Sequence, residues 1–154
     1  LGLDPAFLAE VRQGMFDVSN SRRGTAYGSR IVDDAMRMAG KTGTSQVRNI
    51  TAAERARGVV SNDDLPWERR DHALFVCFAP YEAPRYAVSL VIEHGGGGSA
   101  AAAPIARDII LQALSGGFPP LTAYPESQRT RIQSEREKLQ VLEPPPTDGG
   151  KSRA

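Results

Sequence analysis

Apolar residues near the start of the chain recur at spacings of three and four: Phe7, Leu8, Val11, Met15, Phe16 and Val18. This spacing predicts an amphipathic helix within residues 1–20, with Asp4 as cap and Pro5 in the first turn. Asn20 to Arg30 holds Gly24, Gly28 and mostly polar neighbours, and reads as a loop. Small and β-branched residues over Ala39–Val47 predict a strand. Residues 51–71 are polar, with a short helical run at Thr51–Arg57, and form an excursion between strands. Ala73–Ala79 (ALFVCFA) is apolar on both faces, as a central buried strand would be. Arg85–His94 is a second β-rich run, so 73–94 is predicted as a hairpin around a five-residue loop, Pro80 to Pro84. Gly95–Gly98 ends it. Ile105, Ala106, Ile109, Ile110, Ala113 and Leu114 then mark one helical face, with Arg107, Asp108 and Gln112 opposite. Ser115-Gly116-Gly117 closes that helix.

The last third changes character. Residues 126–140 carry seven charges and only Ile132 and Leu139 as large apolar side chains. They predict a solvated helix, and 143–154 (EPPPTDGGKSRA) a disordered tail. Domain organisation follows: a core over 1–117, a polar helical tail over 118–142 and a disordered end over 143–154. The expected class is α+β, three antiparallel strands with packed helices. The first residue is Leu1, so the N-terminal end is expected to be a cut rather than a start.

Composition narrows the function classes. Lys and Arg number 19 and Asp and Glu 18, a net charge of +1, which argues against a strongly basic nucleic-acid surface. One cysteine, Cys77, excludes an internal disulfide framework. The longest apolar run is far too short for a membrane span.

Three motifs carry candidate chemistry. Ala35-x-x-x-x-Gly40-Lys41-Thr42 fits a relaxed phosphate-loop pattern. Its loop positions, Met36, Arg37, Met38 and Ala39, would crowd a phosphate, and Gly43 to Val47 is a poor helix start. Gly95-x-Gly97-x-x-Ala100 imitates a dinucleotide fingerprint, but after Leu114 there is no second strand and no acid until Glu126. It reads as a flexible strand-to-helix loop. The third is Lys41-Thr42-Gly43-Thr44 on a strand. Alternation puts Lys41 and Gly43 on one face and Thr42 and Thr44 on the other. Gly43 leaves the backbone bare where something approaches closely. An ammonium and two hydroxyls beside a bare edge suit an extended peptide with an anionic end. Bland readings cover the rest: His72, Cys77 and His94 offer no close-spaced ligand pair for a metal, Cys77 is a small buried hydrophobe, and Trp67 anchors a loop.

The neighbours of the third motif decide its reading. AGKTGTSQV at 39–47, RDHALFVCFAPY at 70–81 and AVSLVIEHGGGGSAAAAPIARDI at 87–109 occur in order, with Gly14-Met15 and Gly24-Thr25-Ala26 before them. Over about residues 5–115 the chain closely resembles the C-terminal part of the penicillin-binding protein 2 family, class B D,D-transpeptidases of cell elongation. Pro119–Leu142 resembles the tails of some members more loosely.

The resemblance implies part of the penicillin-binding-protein/β-lactamase-like fold and serine acyl transfer on D-Ala-D-Ala stem peptides, with β-lactams as substrate mimics. It implies that Lys41 supports the electrostatics of the catalytic serines. Thr42 and Thr44 would hold the substrate carboxylate, the Thr44 backbone N–H would be one of two oxyanion donors, and Gly43 would keep the edge open. No cofactor is expected. Cell-elongation membrane proteins are the implied partners of the full-length protein, at the periplasmic face of the bacterial inner membrane, with the anchor outside this chain. The nucleophile motif Ser-x-x-Lys and the Ser-x-Asn motif are both absent from these 154 residues. The fragment alone is therefore expected to be inactive, with the edge of the strand at 85–94 bare, one sheet face uncovered and marginal stability. Two other readings remain open, a non-catalytic module that grips peptide termini and a P-loop nucleotide protein.

Overall fold

A computed structural model describes residues 2–139, and the expected disordered stretch 143–154 lies outside them. Asp4 accepts a hydrogen bond from the Ala6 N–H (2.8 Å) and starts α1, Pro5–Asn20. Three strands follow: β1 at Ala39–Ser45, β2 at His72–Ala79 and β3 at Tyr86–Ile92. They form one antiparallel sheet in the order β1-β2-β3. Between β1 and β2 lies the short helix α2, Ala52–Arg57. After β3 a π-turn over Gly98–Ala102 runs into α3, Ala103–Ser115, and α4 spans Glu126–Lys138. The α+β class and the strand arrangement match the sequence expectation.

Two strands are shorter than their patterns suggested. β1 ends at Ser45, opposite His72, and the Val47 N–H turns to Asp71 Oδ1 (3.3 Å) instead of the ladder. β3 stops at Ile92, and His94 takes a left-handed turn at φ 55.

The core lies on one side of the sheet. Ala73, Phe75, Cys77 and Ala79 of β2 are buried there with Ala102, Ala103, Ala106 and Ile110 of the π-turn and α3. The small residues let the helix backbone approach the sheet closely. The other face of β2 is not buried as its apolar run predicted. Val76 is 43% exposed and Val91 on β3 is 52% exposed. A similar gap affects α1. Its C-terminal part packs on β1, with Asn20 Nδ2 donating to Met38 O (2.9 Å), while Phe7 and Val11 stand 66% and 60% exposed.

The buried face of α3 is rotated from the one its pattern marked. Ile105 and Ile109 are exposed, whereas Arg107 and Leu111 are fully buried. The residues after 117 cause this. The Val32 N–H donates to Ala123 O (2.8 Å), and Ala123, Tyr124 and Ile132 belong to the main core. Residues on both sides of position 117 thus share one core. Arg107 Nε donates to Asp108 Oδ1 (2.8 Å) and its Nη1 to Gln128 Oε1 (2.6 Å), with its guanidinium 4.8 Å from the Tyr124 ring centre. Gln128 Nε2 continues to Gly28 O (2.6 Å). A buried arginine is costly unless its charge and donors are paired; here Asp108 meets the charge and Gln128 of α4, itself held by the 27–29 turn, takes a second donor. Only Ile132 of α4 is buried, so the helix is solvated on its other sides.

The excursion after β1 is held by its own clamp. Arg48 forks onto Glu54 through Nη1 (2.7 Å) and Nη2 (2.6 Å), while Thr51 caps α2 by accepting the Glu54 N–H (3.2 Å).

Two measurements check this architecture. Burial pushes the Cys77 thiol up to about 12, so it should resist a disulfide reagent at pH 8 until the chain unfolds, because the thiolate is the nucleophile. Rapid labelling of the native chain would contradict the packing of β2. The Arg48 fork, helped by the Val60 N–H, holds the Glu54 carboxyl down from 4.5 to about 2. A carboxyl lowered on folding stabilises the fold above its unfolded value, and that contribution is lost as pH falls through the folded one. An NMR titration of Glu54 should therefore find its midpoint near 2, with the Val60 amide moving in step. A midpoint near 4.5 would show that the clamp does not form in solution.

Candidate active site

Among the described residues β1 has a strand partner, β2, on one side only, so its other edge carries no strand. Register places Lys41 opposite Val76 and Gly43 opposite Leu74, on the uncovered face, while Thr42 and Thr44 lie opposite Phe75 and Ala73. This is the alternation the motif requires. The backbone direction follows from the glycine after β3. A Cβ built on Gly98 would lie 2.3 Å from Leu74 O and 2.5 Å from Gly43 O. Two carbonyl oxygens can flank one point so closely only if they face each other across the strand pair. Gly43 and Leu74 are therefore a hydrogen-bonded pair, and Thr42 and Thr44, one residue to each side, direct their N–H and C=O groups to the free edge.

The side chains complete the edge. Lys41 is exposed, and its Nζ donates to Thr42 O (2.7 Å). Thr44 is exposed, and Gly43 is half-buried. Thr42 Oγ1 lies 3.0 Å from Thr25 Oγ1. Thr25 arrives there because Gly24 tucks under the end of α1, where a Cβ would lie 2.2 Å from Asp17 O and 2.3 Å from Val18 O. The Ala26 N–H then donates to Val18 O (2.9 Å). The sequence around Gly24-Thr25-Ala26 assigns Thr25 no role, because no spacing rule links a loop to a strand 17 residues away.

The geometry disposes of the nucleotide readings. Lys41 lies inside β1, so no helix begins there to receive a phosphate. The glycine run after β3 joins an antiparallel strand to α3, with no parallel strand pair among the described residues. The imidazoles behave differently from the sequence picture. His72 and His94 come together, ring centres 4.7 Å apart, with Trp67 4.4 Å from His94. The His94 N–H donates to His72 Nδ1 (2.9 Å), and His94 Nδ1 sits 3.0 Å from Arg70 O. One nitrogen of each ring is thus engaged in holding the hairpin end. No group of three or more His, Cys, Asp or Glu gathers as a metal site among the described residues. Trp67 packs on His94 yet is 55% exposed.

Residues 3–111 match the model of the penicillin-binding protein transpeptidase domain. The chain belongs to the penicillin-binding protein transpeptidase family. Among curated relatives, the chain is 35% identical over 131 residues to peptidoglycan D,D-transpeptidase MrdA of Haemophilus influenzae, covering 83% of this chain and 19% of that protein. It is 36% identical over 110 residues to MrdA of Salmonella typhimurium, covering 70% of this chain and 17% of that protein. The chain thus spans about a fifth of the length of these relatives. Solved structures agree. Penicillin-binding protein 2 of Helicobacter pylori, in complex with MreC, aligns at a TM-score of 0.56 and 32% identity over 74% of this chain and 18% of that one. Penicillin-binding protein 2 of Pseudomonas aeruginosa, in complex with WCK 5153, aligns at 0.52 and 34% over 79% and 23%.

The two threonine hydroxyls offer a direct test of the site. Thr25→Val, Thr42→Val and the double variant, compared by denaturant melts, should show a coupling of about 0.5–1 kcal/mol. Strict additivity would remove Thr25 from the site.

Proposed function

We propose that this chain is the C-terminal part of the catalytic domain of a peptidoglycan D,D-transpeptidase of cell elongation, and that the free edge of β1 is one wall of its substrate cleft. The observation that carries this reading is the outward-facing backbone of Thr44 beside Lys41, in a chain that belongs to the transpeptidase family.

In the proposed reaction a serine from outside these 154 residues attacks the penultimate D-alanine carbonyl of a stem peptide. The terminal D-alanine leaves, and an amine of a second stem resolves the acyl-enzyme. The tetrahedral intermediate places negative charge on the former carbonyl oxygen. The Thr44 N–H, fixed in a strand and unable to reorganise, donates to that oxygen. One such donor is worth about 3–4 kcal/mol of transition-state stabilisation. The Thr42 and Thr44 hydroxyls donate to the terminal carboxylate. Thr25 matters here: if Thr42 gives its proton to a carboxylate, Thr25 must be the donor in the threonine pair, so Thr25 orients Thr42. Lys41 exchanges its contact with Thr42 O for the catalytic serine, and its positive charge raises the electrostatic potential of the cleft in favour of anionic groups.

Stem peptides are the proposed substrates and β-lactams the proposed traps. The complex of the Helicobacter pylori relative with MreC supports a partner of that kind for the whole protein. Its proposed place is the periplasmic face of the bacterial inner membrane. No helix among the described residues is long and apolar enough to cross a membrane, so an anchor would come from elsewhere in the polypeptide.

Labelling by a fluorescent penicillin tests the reading. The protein encoded by the complete open frame that contains these codons should be acylated at one serine, and the 154-residue chain alone should not. Thr44→Pro separates the N–H from the hydroxyl, because an edge strand tolerates proline where the N–H faces outward. Thr44→Val removes the hydroxyl only. Thr44→Pro should acylate about 100-fold or more slowly than Thr44→Val. Reversible stem-peptide binding without any covalent adduct would replace the enzyme with a binding module.

A further inference from the structure

The glycine run after β3 reads from sequence as a flexible connection. Gly98 does not fit that description. It is buried, and its φ lies outside the left-handed region, so space rather than torsion demands glycine there. A Cβ would meet Leu74 O at 2.3 Å, Gly43 O at 2.5 Å and Gly43 N at 3.1 Å. All three are backbone atoms of the β1–β2 ladder, and none can rotate away. The neighbouring Gly97 contrasts with it. Its φ is −89, and an added Cβ would meet nothing within 4 Å.

The contact falls on one peptide unit in particular. Gly43 O and the Thr44 N–H belong to the same planar amide and point in opposite directions. An atom pressed against Gly43 O therefore sets the tilt of that plane, and with it the aim of the Thr44 N–H at the free edge. The π-turn over Gly98–Ala102 delivers Gly98 to this spot, and the buried Ala102 continues the close approach into α3.

We infer that Gly98 is a positioning residue for the oxyanion donor: its bare Cα seats the Gly43–Thr44 peptide so that the Thr44 N–H points into the cleft. The inference rests on the transpeptidase reading above. A methyl group at 98 would leave Lys41, Thr42 and Thr44 chemically intact, and would act by displacing the strand backbone by a fraction of an ångström or more. Misplacement on that scale costs up to about 100-fold in rate.

The test uses the complete transpeptidase polypeptide that contains this chain, unsubstituted and as Gly98→Ala and Gly97→Ala. Stopped-flow acylation by a fluorescent penicillin yields the labelled fraction at saturation, the affinity of the initial complex and the acylation rate constant. Gly98→Ala should keep its labelled fraction and lose about 10- to 100-fold in the rate constant, with a smaller change in affinity. Gly97→Ala should match the unsubstituted enzyme on all three. A wild-type rate constant in Gly98→Ala would overturn the inference. A labelled fraction that falls or vanishes, with the remainder reacting at the normal rate or no folded protein recovered, would make Gly98 a folding residue and overturn it equally. Equal losses in both glycine variants would point to loop stiffness instead and also overturn it. If the unsubstituted enzyme is not labelled at all, the transpeptidase reading fails first and this inference falls with it.

Discussion

The register between β1 and β2 is the constraint on which the rest depends. A slip of one residue would carry Lys41 to the core face and swing both threonines to the other. Two glycines prevent it. At Gly40 a Cβ would lie 2.4 Å from the tip of the Phe75 ring, so this fully buried ring lies across bare backbone. At the other end Gly98 presses on the pair Gly43–Leu74. A slip would bring the Cβ of Ala39 or Lys41 to the Gly40 position and into that ring, while the Gly98 contact fits only the hydrogen-bonded pair at Gly43. The same hydrophobic burial that stabilises the sheet thus also aims the polar edge.

Packing is one-sided, and this explains where stability resides. The core gathers Phe75, Ile110, Leu111 and Tyr124 between sheet, α3 and the segment after 117. Apolar burial stabilises at about 25 cal/mol per Å², and the exposed Phe7, Val11, Val76 and Val91 contribute little of it. Arg107 shows how closely α4 is tied in. Its Nε and Nη1 are paired, while its buried Nη2 has no partner among the described residues, and a buried donor without an acceptor carries a cost of about 1–3 kcal/mol. The tail therefore holds a charged group inside the fold at some expense, in return for a link between α3, α4 and the 27–29 turn.

Local chemistry was legible in the sequence, and long-range juxtaposition was not. The Asp4 cap, the strand carrying Lys41 to Thr44, the hairpin and the helix ending at Gly116 all follow from neighbours within a few residues. The face of α3 was misread because Ile105 and Ile109 look like core by spacing, whereas burial depends on what the tail brings to Arg107 and Leu111. The β2 run looked buried on both faces because composition cannot say whether a second layer is present. Thr25 and Gly98 escaped for a related reason. A hydroxyl pair across two elements and a glycine that makes room for another strand leave no periodic trace. Only the box itself, with its ordered neighbours, carried enough information to be read as a site.

The two free edges of the sheet differ in a way that bears on what each is for. An exposed edge invites pairing with any other strand, and charged or small polar residues discourage it. β1 presents Lys41, Thr42, Gly43, Thr44 and Ser45 at its edge. Such a sequence is poor at holding a permanent neighbour and well suited to a transient, polar one. β3 has the opposite character: Tyr86, Val88, Leu90, Val91 and Ile92 lie on a strand with no partner on its far side among the described residues, and Tyr86 and Val91 are exposed. β-Branched and aromatic side chains of this kind suit a strand half-buried within a sheet. The polar composition of the β1 edge thus fits the proposed substrate cleft, whereas the apolar face of β3 does not.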